Sequence, residues 1–256
     1  MELWQALFLG VIQGITEWLP ISSSGHLALF QMLFTLDIPI AFDILLHFST
    51  LLVLVTVYRK DLLEIIKAWL KFDINSQNFR LGYLLILGTI PTAIIGLFFK
   101  DLFASFFHST LAIGIAYLFT ALILFLSKLA IEKRKLSVPS SILVGLAQGI
   151  AIIPGVSRSG STISIGLLLG IKRSKIAKFS FLLALPAILG ATILEGPAII
   201  DSQIGFLPVL FGMISSYVVG LLSLKWLLKL IEKKSFYLFG WYCLVLGIVL
   251  VGLNLI

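Results

Sequence analysis

The stretch IIPGVSRSGST, Ile152 to Thr162, decides how the chain folds. It sets Arg158, three serines, a threonine, two glycines and a proline between flanks that are almost uncharged and strongly apolar. A Pro/Gly/Ser run of this kind stops a helix. The segment from about 139 to 171 therefore reads as two half-helices joined by a polar break. Each half is about 10 to 17 residues, too short to span untilted, since a bilayer needs roughly 20. Non-helical backbone at membrane depth is tolerated only where protein or water surrounds it. The segment is read as a re-entrant helical hairpin.

A membrane setting follows from composition. Of the 256 residues, 59% are hydrophobic and 12% are charged, against roughly 25% charged in a soluble domain. Six segments are long enough to cross: about 40–58, 81–99, 109–127, 179–198, 206–226 and 236–255. All but two of the 19 lysines and arginines, Lys100 and Arg158, fall in four clusters. These run Arg59–Arg80, Lys128–Lys135, Lys172–Lys178 and Lys225–Lys234. Acidic residues without basic company (Glu2, Asp37, Asp43, Glu195, Asp201) collect in the other connections. Placing all four basic clusters in the cytoplasm makes the six spans alternate correctly and puts both termini outside. The net charge of +7 thus marks loops facing the cytoplasm, and no nucleic-acid partner is expected. The N-terminus MELWQALFLG lacks the basic region of a cleavable signal. The single cysteine, Cys243, excludes an intramolecular disulfide and a cysteine-based metal site.

A second broken segment, about 3–36, also has to begin and end on one side. It resembles the first. At a constant offset of 135, Gly10, Gln13, Gly14 and Ile15 match Gly145, Gln148, Gly149 and Ile150, and Ser22, Ser24 and Gly25 match Ser157, Ser159 and Gly160. Each hairpin precedes three spans, and an odd number of spans inverts the second copy. The expectation is one all-α polytopic transmembrane domain over 1–256, with six transmembrane helices and two re-entrant hairpins arranged as an inverted repeat. Repeat one covers about 1–127 and repeat two about 139–256. Sites commonly lie where the broken helices of such repeats meet near the midplane.

The two breaks carry the polar chemistry. Gln13 and Glu17 share one helix face, and Pro20 ends that helix. Serines after each break can cap the next helix, and two facing helix N-termini suit a phosphate. Ser22, Ser24, Gly25, Ser157, Arg158, Ser159, Gly160 and Thr162 are the expected phosphate-binding residues. Arg158 costs roughly 2.5–3.5 kcal/mol at a helix centre on insertion scales, so it needs an anion, and its planar fork suits phosphate. Serines and glycines also serve close helix packing, and a structural pairing of Arg158 with Glu17 is the lesser alternative. Glu17, Ser23, His26 and Arg158 on two matched breaks are the candidate catalytic residues. Ser23 beside His26 reads as an activated nucleophile; direct attack by His26 is left open. Glu17 can orient His26, act as a base, or hold Mg²⁺ or Ca²⁺ through oxygen, with Gln13 as a second ligand.

These motifs resemble those of a known family. QGITEWLPISSSGH (Gln13–His26) and PGVSRSGSTIS (Pro154–Ser164) are similar to the two signatures of the undecaprenyl-diphosphate phosphatase (bacitracin-resistance) family. FDILLHFSTLLVL (Phe42–Leu54), GTIPTAIIGL (Gly88–Leu97) and FSFLLALPAILGA (Phe179–Ala191) extend the likeness over nearly the whole chain. The resemblance implies hydrolysis of undecaprenyl (polyprenyl) diphosphate to the monophosphate and phosphate, recycling the carrier lipid for cell-wall polymers. It also implies a divalent cation, residence in the plasma membrane and a site opening to the outer face. The family's (E/Q)xxxE falls on Gln13 and Glu17, its essential serine and histidine on Ser23 and His26, its Ser-Arg-Ser on Ser157–Ser159 and its threonine on Thr162. Gln13 takes the amide option, leaving one carboxylate. His47 stands where other members have glutamine and is read as a polar interior residue. His108 is read as solvated, and Asp37 and Asp43 as structural groups at the outer mouth. A transporter or flippase of a phosphorylated polyprenyl lipid is the alternative, since the repeat plan serves that class too. A homodimer is compatible with either reading, and oligomeric state is left open.

Overall fold

A computed structural model describes residues 1–36, 38–197 and 204–254. Asp37 and Asp201 lie outside the described residues. The helices are α1 (Leu3–Thr16), α2 (Ser23–Leu33), α3 (Ile40–Val57), α4 (Arg59–Leu70), α5 (Gln77–Phe98), α6 (Lys100–Phe106), α7 (Thr110–Leu126), α8 (Val138–Ile150), α9 (Arg158–Leu168), α10 (Arg173–Leu194), α11 (Phe206–Glu232) and α12 (Phe239–Leu253). No strand ladder forms among the described residues. The chain is an all-α multi-pass membrane protein. α5, α10 and α11, with α7 and α12 extended by their adjoining 3-10 turns, are long and apolar enough to cross a bilayer. α3 makes the sixth span when taken with α4, from which it bends by 76°.

That bend departs from the sequence reading, which treated Arg59–Arg80 as a polar connection. The run RKDLLEIIKAWL contains no glycine or proline and is rich in straight-chain helix formers, so the chain turns at Tyr58 and continues as α4. Asp61 of α4 pairs with Lys178 of α10. Trp69 stacks on Phe79 at 4.7 Å and donates from Nε1 to the Phe79 carbonyl at 3.2 Å.

The breaks fall where the Pro/Ser/Gly runs predict. α1 and α2 are separated by Glu17–Ser22, α8 and α9 by Ala151–Ser157. Ser22 and Ser157 are the N-caps of the second half-helices. Their hydroxyls accept from the amides of Gly25 at 3.2 Å and Gly160 at 3.1 Å, satisfying one of the free N–H groups of each new helix. Gly155 turns the second break with φ of +94°, a conformation that favours glycine.

The halves pack crosswise. α1 lies along α11, the second span of the other half; α8 lies along α5, the equivalent span of the first. The close approaches match. A Cβ on Gly10 would overlap the Gly212 carbonyl oxygen, and one on Gly145 would overlap that of Gly88. Ser223 donates to the Gly14 carbonyl at 2.5 Å, and Thr92 to that of Gly145 at 2.9 Å. The third spans, α7 and α12, pair directly; a Cβ on Gly247 would lie 2.9 Å from the Gly114 carbonyl oxygen. Small residues let helix backbones approach in lipid, where packing and interhelical hydrogen bonds replace the hydrophobic drive. This exchange of partners is the contact pattern that two inverted copies produce.

The paired approaches make a direct prediction. Gly10→Val and Gly145→Val each force a β-branched side chain against backbone and should destabilise by about 1–3 kcal/mol. Thermal unfolding in detergent should show both lowered by similar amounts. Gly190→Ala should not lower stability, because a Cβ there meets nothing within 4 Å.

Candidate active site

The two breaks touch. The Ser22 hydroxyl accepts from the Gly155 amide at 3.0 Å, and Ser159 donates to the Leu19 carbonyl at 3.3 Å. A Cβ on Gly25 would lie 2.9 Å from the Gly155 nitrogen. Thr120 of α7 ties down the second break: it donates to the Gly155 carbonyl at 2.9 Å and accepts from the Ser157 amide at 3.1 Å. Ser22 takes a positive φ of 63°, which costs of order 1–3 kcal/mol for a residue other than glycine. The contacts from both hairpins hold it there.

Glu17 stands at the junction, directly after α1 and 6% exposed. Its Oε1 accepts from Arg158 Nη2 at 2.5 Å. Its Oε2 accepts from the Ser23 hydroxyl at 2.6 Å and from Gln13 Nε2 at 3.0 Å. His47 Nε2 approaches the same oxygen at 3.5 Å. Glu17 ends a helix and Arg158 begins one, so each charge sits at the helix end that disfavours it. Neither helix supplies an opposite charge to its own member. The pairing between hairpins supplies the compensation.

Two polar atoms beside this pair are buried without a partner among the described residues: Arg158 Nη1 and Gln13 Oε1. A buried group left unsatisfied asks for an explanation. The guanidinium lies over the Trp18 ring at 5.5 Å, so it keeps its plane and holds Nη1 as a fixed, spare donor. Ser23 and Ser24, and Arg158 and Ser159, the first two residues of α2 and α9, have backbone amides with no acceptor among the described residues. Spare donors of this kind at helix N-termini suit an anion.

Several expected phosphate-binding groups are engaged elsewhere. The Ser22 and Ser157 hydroxyls cap helices, and in doing so take the amides of Gly25 and Gly160. Ser159 holds Leu19. Ser24, partly exposed, lies 3.3 Å from the Ser22 hydroxyl. Thr162 faces away, donating to the Arg158 carbonyl at 2.7 Å or meeting Ser180 at 2.5 Å. A hydroxyl that follows a helix break meets backbone first, which is why the serine-rich runs build the turns.

His26 is not hydrogen-bonded to the Ser23 hydroxyl, as its place in the sequence suggested. Its Nδ1 lies 2.7 Å from the Ser22 carbonyl and 2.8 Å from the Tyr117 hydroxyl, and its Nε2 lies 2.6 Å from the Tyr242 hydroxyl. Three positions apart, the two could face each other on one helix, but the Ser23 hydroxyl is committed to Glu17 and the His26 ring to the Ser22 carbonyl and the tyrosines of α7 and α12. Glu17 takes the position beside Ser23. His47, read only as a polar interior residue, joins the cluster at Glu17, aimed by its own Nδ1 on the Asp43 carbonyl at 2.8 Å. Asp43 accepts from Gln31 at 2.8 and 3.1 Å, a structural contact. His108 is exposed. Trp18, Tyr117 and Tyr242 were not picked out beforehand. Their only signal was polar atoms on aromatic rings at membrane depth.

Among the described residues no group of three His, Cys, Asp or Glu converges into a closed cage for a metal. The donor set nevertheless fits a hard cation shared with a substrate. Glu17 offers a carboxylate, and Gln13 Oε1 is a buried oxygen with no partner. Mg²⁺ is commonly held by one or two such groups plus phosphate oxygens and water.

A carboxylate bonded to a serine hydroxyl, an arginine with one donor free, and two buried helix N-termini with unbonded amides meet where the breaks touch, a donor set that suits an anion. A profile of the family described as "Bacitracin resistance protein BacA" matches residues 6–249. The chain belongs to that family. Relatives named undecaprenyl-diphosphatase include one from Korarchaeum cryptofilum, 40% identical over 99% of this chain and 100% of the relative. One from Methanosphaera stadtmanae is 38% identical over 100% and 99%, and one from Carboxydothermus hydrogenoformans 41% over 99% and 98%.

Removing one member of the buried pair should leave the other charge uncompensated. Glu17→Gln is expected to destabilise the protein by about 3–5 kcal/mol. The double variant Glu17→Gln/Arg158→Met should recover part of that loss. Thermal unfolding of both variants in detergent checks the order.

Proposed function

We propose that the chain is an integral-membrane phosphatase that hydrolyses undecaprenyl diphosphate, or a related polyprenyl diphosphate, to the monophosphate and inorganic phosphate. In the cell this recycles the carrier lipid for cell-wall polymer synthesis. The observation that carries the reading is Glu17 joined at once to the Ser23 hydroxyl and to Arg158. The terminal phosphate is drawn to Arg158 Nη1 and the free amides of α2 and α9, where preorganised donors stabilise developing charge. As the phosphate takes over Arg158, the Glu17 carboxylate is released to take the Ser23 proton. The Ser23 oxygen forms a bond to the terminal phosphorus, and the bond to the bridging oxygen breaks. The electron pair leaves with the polyprenyl monophosphate. Glu17 gives the Ser23 proton to the departing monophosphate, then takes one from the water that attacks the phosphoserine and returns it to the Ser23 oxygen as the oxygen–phosphorus bond breaks and phosphate leaves. Ser23 is preferred over His26 as nucleophile because it sits on the carboxylate, whereas both His26 nitrogens are engaged.

A divalent cation, Mg²⁺ or Ca²⁺, held by Glu17 and Gln13 Oε1 together with substrate oxygens, would supply charge neutralisation of the diphosphate. The protein is placed in the plasma membrane, with its basic connections cytoplasmic and its site opening to the outer face. The partial exposure of the His47 side chain, 26%, in the first half of α3 supports that opening. The unit is one transmembrane domain of two copies, about 1–127 and 139–256. Relatives named as diphosphatases favour hydrolysis over transport.

Phosphate release from undecaprenyl diphosphate by purified protein in detergent tests the proposal. Ser23→Ala, Glu17→Ala and Arg158→Ala should each lower turnover by about 100-fold or more, and chelation of divalent cations should lower it in the unmodified protein. Near-normal turnover by folded Glu17→Ala and Arg158→Ala would overturn it.

A further inference from the structure

His26 is enclosed by two tyrosines from the spans that pair the two halves. Tyr117 comes from α7 and Tyr242 from α12. The Ser22 carbonyl, 2.7 Å from Nδ1, can only accept, so Nδ1 carries the ring proton. Nε2 then bears the lone pair, and the Tyr242 hydroxyl at 2.6 Å donates to it. Tyr242 also stacks on the imidazole, centroids 5.7 Å apart with planes inclined by 12°, while Tyr117 meets the ring edge-on at 87°. Both nitrogens are thereby engaged. Such partners around a histidine set its tautomer and direction.

We infer that Tyr242 is a positioning residue of the reaction: its hydroxyl holds His26 as the Nδ1–H tautomer and keeps Nε2 occupied beside the Ser22–Ser23 turn. Resting on the phosphatase reading, this assigns the last span a part in the site itself. Tyr117 plays a lesser part, because the Ser22 carbonyl still holds Nδ1 without it. Keeping Nε2 occupied leaves Glu17 as the base nearest Ser23 in the resting site and stops the imidazole from swinging onto the carboxylate. Tyr242 touches no reacting atom and acts only through His26.

The test has two arms. The chain has three histidines, so ¹⁵N-histidine protein in detergent gives few signals, and His26→Gln identifies the one in question. The unmodified protein should show His26 protonated at Nδ1, with a hydrogen-bonded, unprotonated Nε2. Tyr242→Phe, which retains the stacked ring, should move the Nε2 signal toward that of a free acceptor nitrogen. A His26 protonated at Nε2, or an Nε2 signal blind to Tyr242→Phe, would overturn the assignment. In the activity arm Tyr242→Phe should lower kcat about tenfold with KM little changed, Tyr117→Phe should lower it less, and Tyr242→Phe should add nothing in a His26→Gln background. An unchanged kcat, or a full additive loss in the double variant, would also overturn it. Absence of phosphate release from the unmodified protein would sink the phosphatase reading instead, and the nitrogen signals would then decide the assignment alone.

Discussion

The Glu17–Arg158 ion pair is the interaction on which the rest depends. Each partner closes or opens a half-helix that is too short to cross the membrane alone. Burying either charge by itself costs several kcal/mol even after relaxation, so neither hairpin is a stable object in lipid without the other. Joined at 2.5 Å, they fix the two breaks against each other. The surrounding contacts follow from that meeting. Ser22 reaches Gly155, Ser159 reaches Leu19, and Trp18 lies beneath the guanidinium. The crosswise packing of α1 on α11 and α8 on α5 then carries each hairpin on the opposite half. Stability and function share one contact: the arginine that holds the fold together is also the group with a donor to spare.

Much of the fold was legible from residue types. Proline and glycine at Pro20, Pro154 and Gly155 located both breaks, and the clustering of basic residues gave the span order. The matched pairs Gly10/Gly145 and Gly14/Gly149 pointed to the repeat, and the structure shows why these glycines recur: both pairs face a helix of the other half. The bend at Tyr58 was not legible, because a charged amphipathic helix and a polar loop draw on the same residues. The site was legible in its members more than in its bonds. Glu17, Ser23 and Arg158 do converge, but adjacency in sequence suggested a Ser23–His26 pair, and each of those two takes other partners. Tyr117 and Tyr242 come from helices distant in sequence, and a tyrosine in an apolar span carries no local mark of the residue it will face.

The two breaks share their capping serines and differ in the reactive residues. At the offset of 135, Ser23 corresponds to Arg158, Glu17 to Ile152 and His26 to Ser161. The first copy keeps acid–base and hydroxyl groups, and the second contributes the cation. Gln13 and Gln148 are retained in both, yet they do different things. Gln13 donates to Glu17, whereas Gln148 donates to the Leu183 carbonyl at 3.2 Å and to Thr92 at 3.3 Å. The same amide thus bonds a buried carboxylate in one half and ties helices together in the other. Symmetric backbone with asymmetric side chains is a way to build a site for a ligand whose two ends differ.

The separation of 141 residues between Glu17 and Arg158 also sets an order of assembly. During synthesis at roughly 5–20 residues per second, the first hairpin emerges many seconds before its counter-ion exists. Throughout that interval Glu17 lacks its arginine, and irregular backbone cannot rest in bare hydrocarbon. The first break must therefore wait at the membrane surface or within the insertion machinery until the second half arrives. The first hairpin is made well before the second and settles only with it.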